Sequence, residues 1–89
     1  MSRNFSHIDK MPILRQAEVC FLLGITRMTL WRYEANKGLP SHRDDGMNPL
    51  YDKDEVIKWV MSRPDLRRVN EKLQSDGYRK SKNGRIVKV

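Results

Sequence analysis

The feature that most constrains the fold is the stretch 17–36, in which two apolar patterns flank a glycine. The first pattern has the i, i+3, i+4 spacing of one helical face, and its members are Val19, Leu22 and Leu23. It predicts a helix over residues 16–23 that ends at Gly24, because glycine adopts a positive φ without a Cβ clash. Thr26 has the side chain of an N-cap, so a second helix is predicted to begin at Arg27.

The second helix is predicted to bury one face and expose the other. Leu30 and Tyr33 would turn toward the first helix, with the stem of Glu34 or with Ala35 beside them. The residues expected to point outward near its start are Arg27, Met28, Thr29 and Arg32. In a helix-turn-helix these residues and the Thr26 cap would enter the DNA major groove, where arginine binds guanine and a methyl group meets thymine. The pattern alone also fits a helical hairpin with solvated arginines.

A two-stranded ribbon, or wing, is predicted after the second helix. Gly38 ends that helix, and Asp45-Gly46 is a hairpin-type turn between short flanks at 41–43 and 50–51. The residues predicted to contact phosphate or the minor groove from this region are Lys37, His42 and Arg43. The acidic turn itself would repel phosphate, so its tip is expected to lie off the DNA backbone.

A third helix is predicted from Asp52, which has capping-box spacing to Glu55. Its buried stripe is expected to be Val56, Trp59 and Val60, and the large indole of Trp59 would supply much of the core. We assign the acidic residues at its start to helix initiation, because no histidine or nucleophile accompanies them for acid–base or metal chemistry.

A short fourth helix is predicted after Pro64, with an apolar stripe at i, i+3 and i+7. The stripe consists of Leu66, Val69 and Leu73. It would cover Phe21, which lies about a helical turn away from the apolar face of the first helix, or it would meet another subunit. Phe21 therefore has two interpretations: a wider apolar face packed by the C-terminal segment, or a self-association surface.

Charge is distributed unevenly along the chain. Residues 67–89 carry eight Lys or Arg and two acidic residues, a net charge of +6, whereas residues 1–66 carry ten and nine, a net charge of +1. The chain is predicted to divide into a flexible arm (1–11), a DNA-binding domain (12–63), a short amphipathic helix (64–77) and a basic tail (78–89).

The basic tail has two possible structures. A disordered tail would run along phosphates with Arg79, Lys80, Lys82 and Arg85, adding affinity without reading sequence. Alternatively, the β-formers Ile86 and Val87 would add as a strand to a neighbouring protomer and contribute to self-association.

Composition bounds the function. Cys20 is the only cysteine, which excludes an internal disulfide, and we interpret it as a small hydrophobe. No apolar run approaches the roughly 20 residues of a membrane span, and no signal-peptide pattern is visible, so a cytoplasmic, nucleoid-associated location is expected. We expect no enzyme activity, no cofactor and no metal, because no nucleophile, base and orienting residue cluster in the sequence. The net charge of +7 favours an anionic partner.

The order of these elements resembles that of the small winged-helix proteins related to MerR, and within them the phage excisionases and AlpA-type regulators. The similar segments are the helix-turn-helix pattern over 18–32, the Gly38-Leu39-Pro40 step before the wing and the helix over 54–59. The resemblance covers residues 14–63 and implies a mainly α fold with a small β-ribbon, a winged helix-turn-helix. Two departures are Phe21, at a position that is usually polar in the family, and the acidic wing tip.

The resemblance implies a sequence-specific DNA-binding accessory protein. It would be an excisionase (a recombination directionality factor) or a small transcriptional regulator of a phage or integrative element, acting by cooperative binding and bending of double-stranded DNA. The expected partners are DNA, further copies of the chain and a recombinase of the integrase type. The alternatives are a small terminase-like DNA-packaging adaptor and a protein-interaction domain built on Phe21 and the stripe of the fourth helix.

Overall fold

The computed structural model describes residues 12–43 and 49–88, and within them the fold is mainly α with small antiparallel sheets. The elements are β1 (Ile13–Leu14), α1 (Gln16–Leu23), α2 (Arg27–Arg32), β2 (His42–Arg43), β3 (Pro49–Asp52), α3 (Lys53–Met61), α4 (Arg67–Ser75), β4 (Tyr78–Lys80) and β5 (Ile86–Lys88). A π-helical segment, Tyr33–Lys37, continues α2 directly. The arm predicted over 1–11 and the acidic wing tip lie outside the described residues.

α1 and α2 are joined by the tight turn that the sequence predicts. Gly24 has φ of 69°, and the amides of Gly24 and Ile25 donate to carbonyls in the last turn of α1, which is the bonding of a Schellman motif. Thr26 then caps α2, since its hydroxyl accepts a hydrogen bond from the amide of Thr29 at 3.2 Å. The predicted bounds of α1 and the predicted start of α2 are confirmed.

A three-stranded antiparallel sheet, in the order β1-β3-β2, packs beside these helices. Leu14 pairs with Tyr51 across β1 and β3, and His42 pairs with Leu50 across β2 and β3. The predicted two-stranded ribbon is therefore present. The sequence did not reveal β1, because two residues are too few to show a strand pattern.

α3 begins as predicted, but its buried face is broader than one stripe. The carboxylate of Asp52 accepts a hydrogen bond from the amide of Glu55 at 3.1 Å. The residues of α3 with no exposed surface are Val56, Ile57 and Val60. Trp59 is only partly buried and packs at the edge of the core, so the prediction that it supplies much of the core is wrong. The reason is that α3 contacts β3, α4 and β5 at once, which draws Ile57 inward.

α4 is a core helix of its own protomer. Its apolar stripe, Leu66, Val69 and Leu73, is buried against the rest of the chain, with Leu73 fully enclosed. The prediction that these residues form a self-association surface is therefore wrong, because α4 packs against α1 and α3 and uses its stripe there. The stripe also leaves Phe21 54% exposed, and the ammonium of Lys72 lies 5.7 Å from the centre of that ring.

The connection between α3 and α4 is closed by Asn70. Its amide nitrogen lies 2.9 Å from the carbonyl of Val60, 3.2 Å from that of Arg63 and 2.9 Å from that of Leu66. These carbonyls lie at the end of α3, in the connection that follows and at the start of α4, and each also accepts a backbone amide hydrogen bond. The Asn70 side chain therefore links the end of α3 to the start of α4.

The C-terminal segment is an ordered hairpin, not a disordered tail. β4 and β5 pair antiparallel, with Tyr78 opposite Lys88, Arg79 opposite Val87 and Lys80 opposite Ile86. Tyr78 is 2% exposed and belongs to the core, which anchors the hairpin to the domain. The prediction of a disordered tail is therefore wrong for residues 78–88, and addition of this segment to a second protomer stays a prediction.

Candidate nucleic-acid interface

The outer face of α2 combines two arginines with two large apolar side chains. Met28 is 62% exposed and Trp31 is 58% exposed, and Arg27 and Arg32 are exposed beside them. The i, i+4 spacing places Arg27 next to Trp31 and Met28 next to Arg32, and a guanidinium nitrogen of Arg32 lies 3.9 Å from the sulfur of Met28. Leu30 is the buried residue of this helix. We call these four exposed residues the α2 face.

Thr26 and Thr29 shape the start of α2 more than they extend its outer face. Their hydroxyl oxygens are 3.1 Å apart, and that of Thr26 also accepts from the amide of Thr29. Thr29 is half-buried. Both hydroxyls therefore take part in the cap, and their contact with a partner stays a prediction.

Sequence reasoning missed Trp31. In a small domain a tryptophan is usually expected in the core, and we assigned that role to Trp59. The signal that could have found Trp31 is its place one helical turn after Arg27 and next to the buried Leu30, which turns it away from the core.

The end of the helix that α2 begins is held by the connection between α3 and α4. The ammonium of Lys37 lies 2.8 Å from the carboxylate of Asp65, and the guanidinium of Arg63 donates to the carbonyl of Lys37 at 3.2 Å. The hydrogen bond from Lys37 holds the pKa of Asp65 below its usual value. Lys37 was predicted as a wing contact, but in the structure its ammonium forms an ion pair with Asp65 of the same chain.

Aromatic packing supports the same joint. The rings of Tyr33 and Trp59 are 5.7 Å apart and tilted by 48°. The guanidinium of Arg63 lies 5.4 Å from the centre of the Trp59 ring on α3. Trp59 thus forms a lateral support between α3 and the helix that carries the α2 face.

Glu34 ties the same helix to the ribbon. The hydroxyl of the buried Tyr51 on β3 donates to the Glu34 carboxylate at 3.0 Å. Burial raises the pKa of Tyr51, and the neighbouring carboxylate raises it further, so the hydroxyl stays protonated and remains a donor. The ribbon and α2 are therefore linked by one hydrogen bond near the core.

Both predicted wing residues on β2 are exposed. His42 is exposed, and its Nε2 lies 2.9 Å from a carboxylate oxygen of Glu55 on α3. Arg43 is exposed at the outer end of the described part of the ribbon. The turn that joins β2 to β3 lies outside the described residues, so the position of the predicted acidic tip stays a prediction.

The basic residues of the C-terminal segment also fall into two groups. Arg79 donates to the carbonyls of Gln74 and Tyr78, at 2.9 and 2.8 Å, and so binds its own chain. Lys80, Lys82 and Arg85 are exposed. The hairpin formed by β4 and β5 packs on α3 and α4.

The residues predicted for self-association divide in the same way. Phe21 and Val87 are exposed, at 54% and 43%, whereas Ile86 is partly buried against the core. Cys20 also packs against the core, and burial raises the pKa of its thiol while the charge of Arg27 opposes that shift. Its packing agrees with its interpretation as a small hydrophobe.

Within residues 12–43 and 49–88, no group of three or more histidine, cysteine or acidic side chains could hold a metal ion. No helix in this part of the chain has the length and apolarity to cross a membrane. Comparison with protein-family models, with curated proteins and with solved structures finds no match to this chain.

Proposed function

We propose that this protein is a winged helix-turn-helix protein that reads double-stranded DNA with α2. The observation that carries the proposal is the α2 face, Arg27, Met28, Trp31 and Arg32, exposed on a helix whose two ends are fixed by the rest of the domain. The turn at Gly24 and the ribbon of β2 and β3 supply the other two parts of such a fold.

The chemistry of the α2 face suits a base edge. The fork of an arginine can bind the O6 and N7 of guanine together, and the apolar groups of Met28 can contact the methyl of thymine. The major groove is about 12 Å wide and admits one helix. No acidic side chain interrupts residues 27–32, and the next one along, Glu34, is held by Tyr51. The four residues of the α2 face therefore carry two positive charges and no negative charge.

Fixed geometry is the second support for base reading. The Thr26 cap holds the first turn of α2, and the pair of Lys37 with Asp65 holds the end of the π-helical segment. Trp59 supports the same segment from the side. Side chains on a helix that is already rigid lose less conformational entropy on binding, which favours specific over diffuse contact.

The ribbon would act as the wing beside that helix. We assign its DNA contact to Arg43, which is exposed at the outer end of the described ribbon. We leave Lys37 out of the interface because its ammonium pairs with Asp65, and we give His42 less weight because its ring lies against the Glu55 carboxylate. This is a smaller wing contact than the sequence suggested.

The first test is the removal of the two arginines of the α2 face, Arg27→Ala and Arg32→Ala. Removing one base contact is expected to weaken binding to a duplex selected from a random pool by about 1–3 kcal/mol, with less effect on a scrambled duplex. Fluorescence anisotropy on both duplexes measures this. Arg68→Ala, which removes an exposed arginine from α4, is the matched control.

Equal weakening on both duplexes would make the two arginines phosphate contacts and would contradict base reading. No binding of the wild-type protein to any duplex at low salt would reject the proposed function and would favour a protein as the partner of the α2 face.

For the biological role we propose an excisionase or a small transcriptional regulator of a phage or integrative element, with a recombinase of the integrase type as a further partner. Several copies side by side would bend DNA and so change which protein complex can assemble on it. Footprinting and gel shifts on the DNA next to its own gene test this role. Several adjacent complexes are expected, and a single protected site with one shifted band would contradict cooperative binding.

A further inference from the structure

The C-terminal hairpin is docked to the domain at its base. Tyr78 is buried in the core, and the ammonium groups of Lys53 and Lys88 lie 5.5 and 5.4 Å from the centre of its ring. Arg79 donates to two carbonyls, one of them in the last turn of α4. The residues at the base of the hairpin therefore use their charges to hold it in place.

The distal end of the hairpin is different. Its turn is closed by a bond from the Ser81 amide to the Arg85 carbonyl at 2.8 Å and by another from the Gly84 amide to the Ser81 carbonyl at 2.9 Å. The exposed cations around this turn are Lys80, Lys82 and Arg85, which we call the basic tip. In the part of the chain that the structure describes, their side chains form no ion pair or hydrogen bond. Residues 78–88 contain no acidic side chain.

We propose that the basic tip, held in its ordered hairpin, is a second DNA site that binds the phosphodiester backbone outside the groove read by α2. The proposal rests on the function proposed above. It differs from the sequence prediction, in which a disordered tail would follow phosphates, because the structure fixes three cations on an anchored ribbon.

Charge and side-chain chemistry identify the occupant. Two of the three cations are lysines, which are compact point charges on flexible stems and lack the planar fork that recognises a guanine edge. Cations of this kind bind phosphate and position a protein on the duplex without reading sequence. The basic tip therefore adds affinity and register, and the α2 face supplies the sequence preference.

Order in the hairpin also matters. A ribbon that is already formed avoids part of the entropy cost that a disordered segment incurs when it binds. Hydrogen-bonded and non-hydrogen-bonded pairs alternate along antiparallel strands, so the bonded pair of Ser81 with Arg85 makes Arg79 and Val87 the next bonded pair. Val87→Pro would remove the Val87 amide, which donates within this pair, and would loosen the ribbon without changing its charge.

The experiment measures the salt dependence of binding to one selected duplex. The triple variant K80Q/K82Q/R85Q removes the basic tip, and the matched control K58Q/R67Q/R68Q removes three exposed cations from α3 and α4. Both lower the net charge by the same amount. Removing one phosphate contact should reduce the slope of log K against log salt by about 1, so the tip variant is expected to reduce it by about 2–3. The control should keep the wild-type slope.

A further variant, Val87→Pro, keeps every charge and is expected to reduce both the affinity and the slope in part. Thermal melting confirms that the domain stays folded, since Val87 is 43% exposed and its loss removes little core packing. The preference for the selected over the scrambled duplex should be the same in the wild type and the tip variant, because the tip reads no bases.

Four outcomes would overturn the proposal. An equal slope change in the tip variant and the control would mean that net charge alone matters. Unchanged DNA binding by the tip variant would contradict the proposal and would favour an acidic protein as the partner of the hairpin. The function proposed for α2 would still stand in that case if the Arg27 and Arg32 variants lost DNA binding. Wild-type behaviour of Val87→Pro would show that the ordered hairpin is not required. Absence of any DNA binding by the wild type would reject both proposals together.

Discussion

α2 and α4 are both short helices with arginine and apolar residues, yet they use their apolar residues in opposite ways. α4 buries its stripe, including Leu73, and keeps Arg67 and Arg68 outside. α2 buries Leu30 and leaves Met28 and Trp31 exposed between its arginines. A contiguous exposed apolar patch is typical of a binding surface, and tryptophan, tyrosine and arginine are enriched among the residues that contribute most to binding. The comparison supports the proposal that α4 stabilises the domain and that the α2 face binds a partner.

The most direct way to break this comparison is to truncate one apolar residue from each helix. Leu73→Ala is expected to lower the free energy of unfolding by about 2–5 kcal/mol, because Leu73 is fully buried and its loss leaves a cavity. Trp31→Ala should change it by less than about 0.5 kcal/mol, since most of the side chain is already in water. Urea denaturation followed by circular dichroism measures both.

Leu30→Ala is the matched control, because it lies on the same helix as Trp31 but is fully buried. It should behave like Leu73→Ala. A loss of stability with Trp31→Ala as large as that of the control would mean that the indole is part of the core, and the α2 face would no longer be a recognition surface.

The comparison also shows what local sequence signals can predict. The turn at Gly24, the cap at Thr26 and the cap at Asp52 each act within six residues of the chain, and all three were predicted from residue type and spacing. The division between core and surface depends on which elements cover one another. The stripe of α4 therefore could not be distinguished from an interface before its packing on α1 and α3 was known.

The candidate site divides along the same line. Arg27 and Arg32 were predicted to point outward because their position on the helix decides it. Lys37 and His42 were predicted as contacts, but each lies against an acidic residue far away in the chain, Asp65 and Glu55 respectively. No spacing rule relates those partners, because the fold alone brings them together.

The turn that leads into α2 allows a second comparison with a smaller expected effect, because Lys72 of α4 contacts this turn. The ammonium of Lys72 donates to the carbonyl of Leu22 at 3.0 Å, and a Cβ added at Gly24 would lie 2.6 Å from the stem of that lysine. A Cβ at Gly38, after the end of the same helix, would meet nothing within 4 Å. Both glycines have positive φ, at 69° and 78°, so they differ in surroundings and not in backbone.

We therefore expect Gly38→Ala to cost about 1–2 kcal/mol from the left-handed backbone alone, and Gly24→Ala to cost more because Lys72 must also move. Urea denaturation measures the difference. In a Lys72→Ala background the excess cost of Gly24→Ala should disappear. If both glycine variants lose the same stability in the wild-type background, Lys72 does not constrain the turn that leads into α2.

The smallest expected effect concerns the ion pair of Lys37, at the end of the π-helical segment, with Asp65, in the connection before α4. The hydrogen bond from Lys37 lowers the pKa of Asp65 in the folded state below its value in the unfolded chain. The stabilisation is therefore fully present above about pH 4, the usual pKa of an aspartate, and is lost as the pH falls through the folded-state value.

Asp65→Asn should be slightly less stable than the wild type at pH 7, and the gap should close in strongly acidic solution. Urea denaturation across this pH range tests it. Lys37→Met is expected to reduce the same pH dependence but not to abolish it, because Arg63, 3.5 Å from the Asp65 carboxylate, also lowers the pKa of Asp65. A gap that persisted at low pH would show that the stabilisation by Asp65 does not come from its charge.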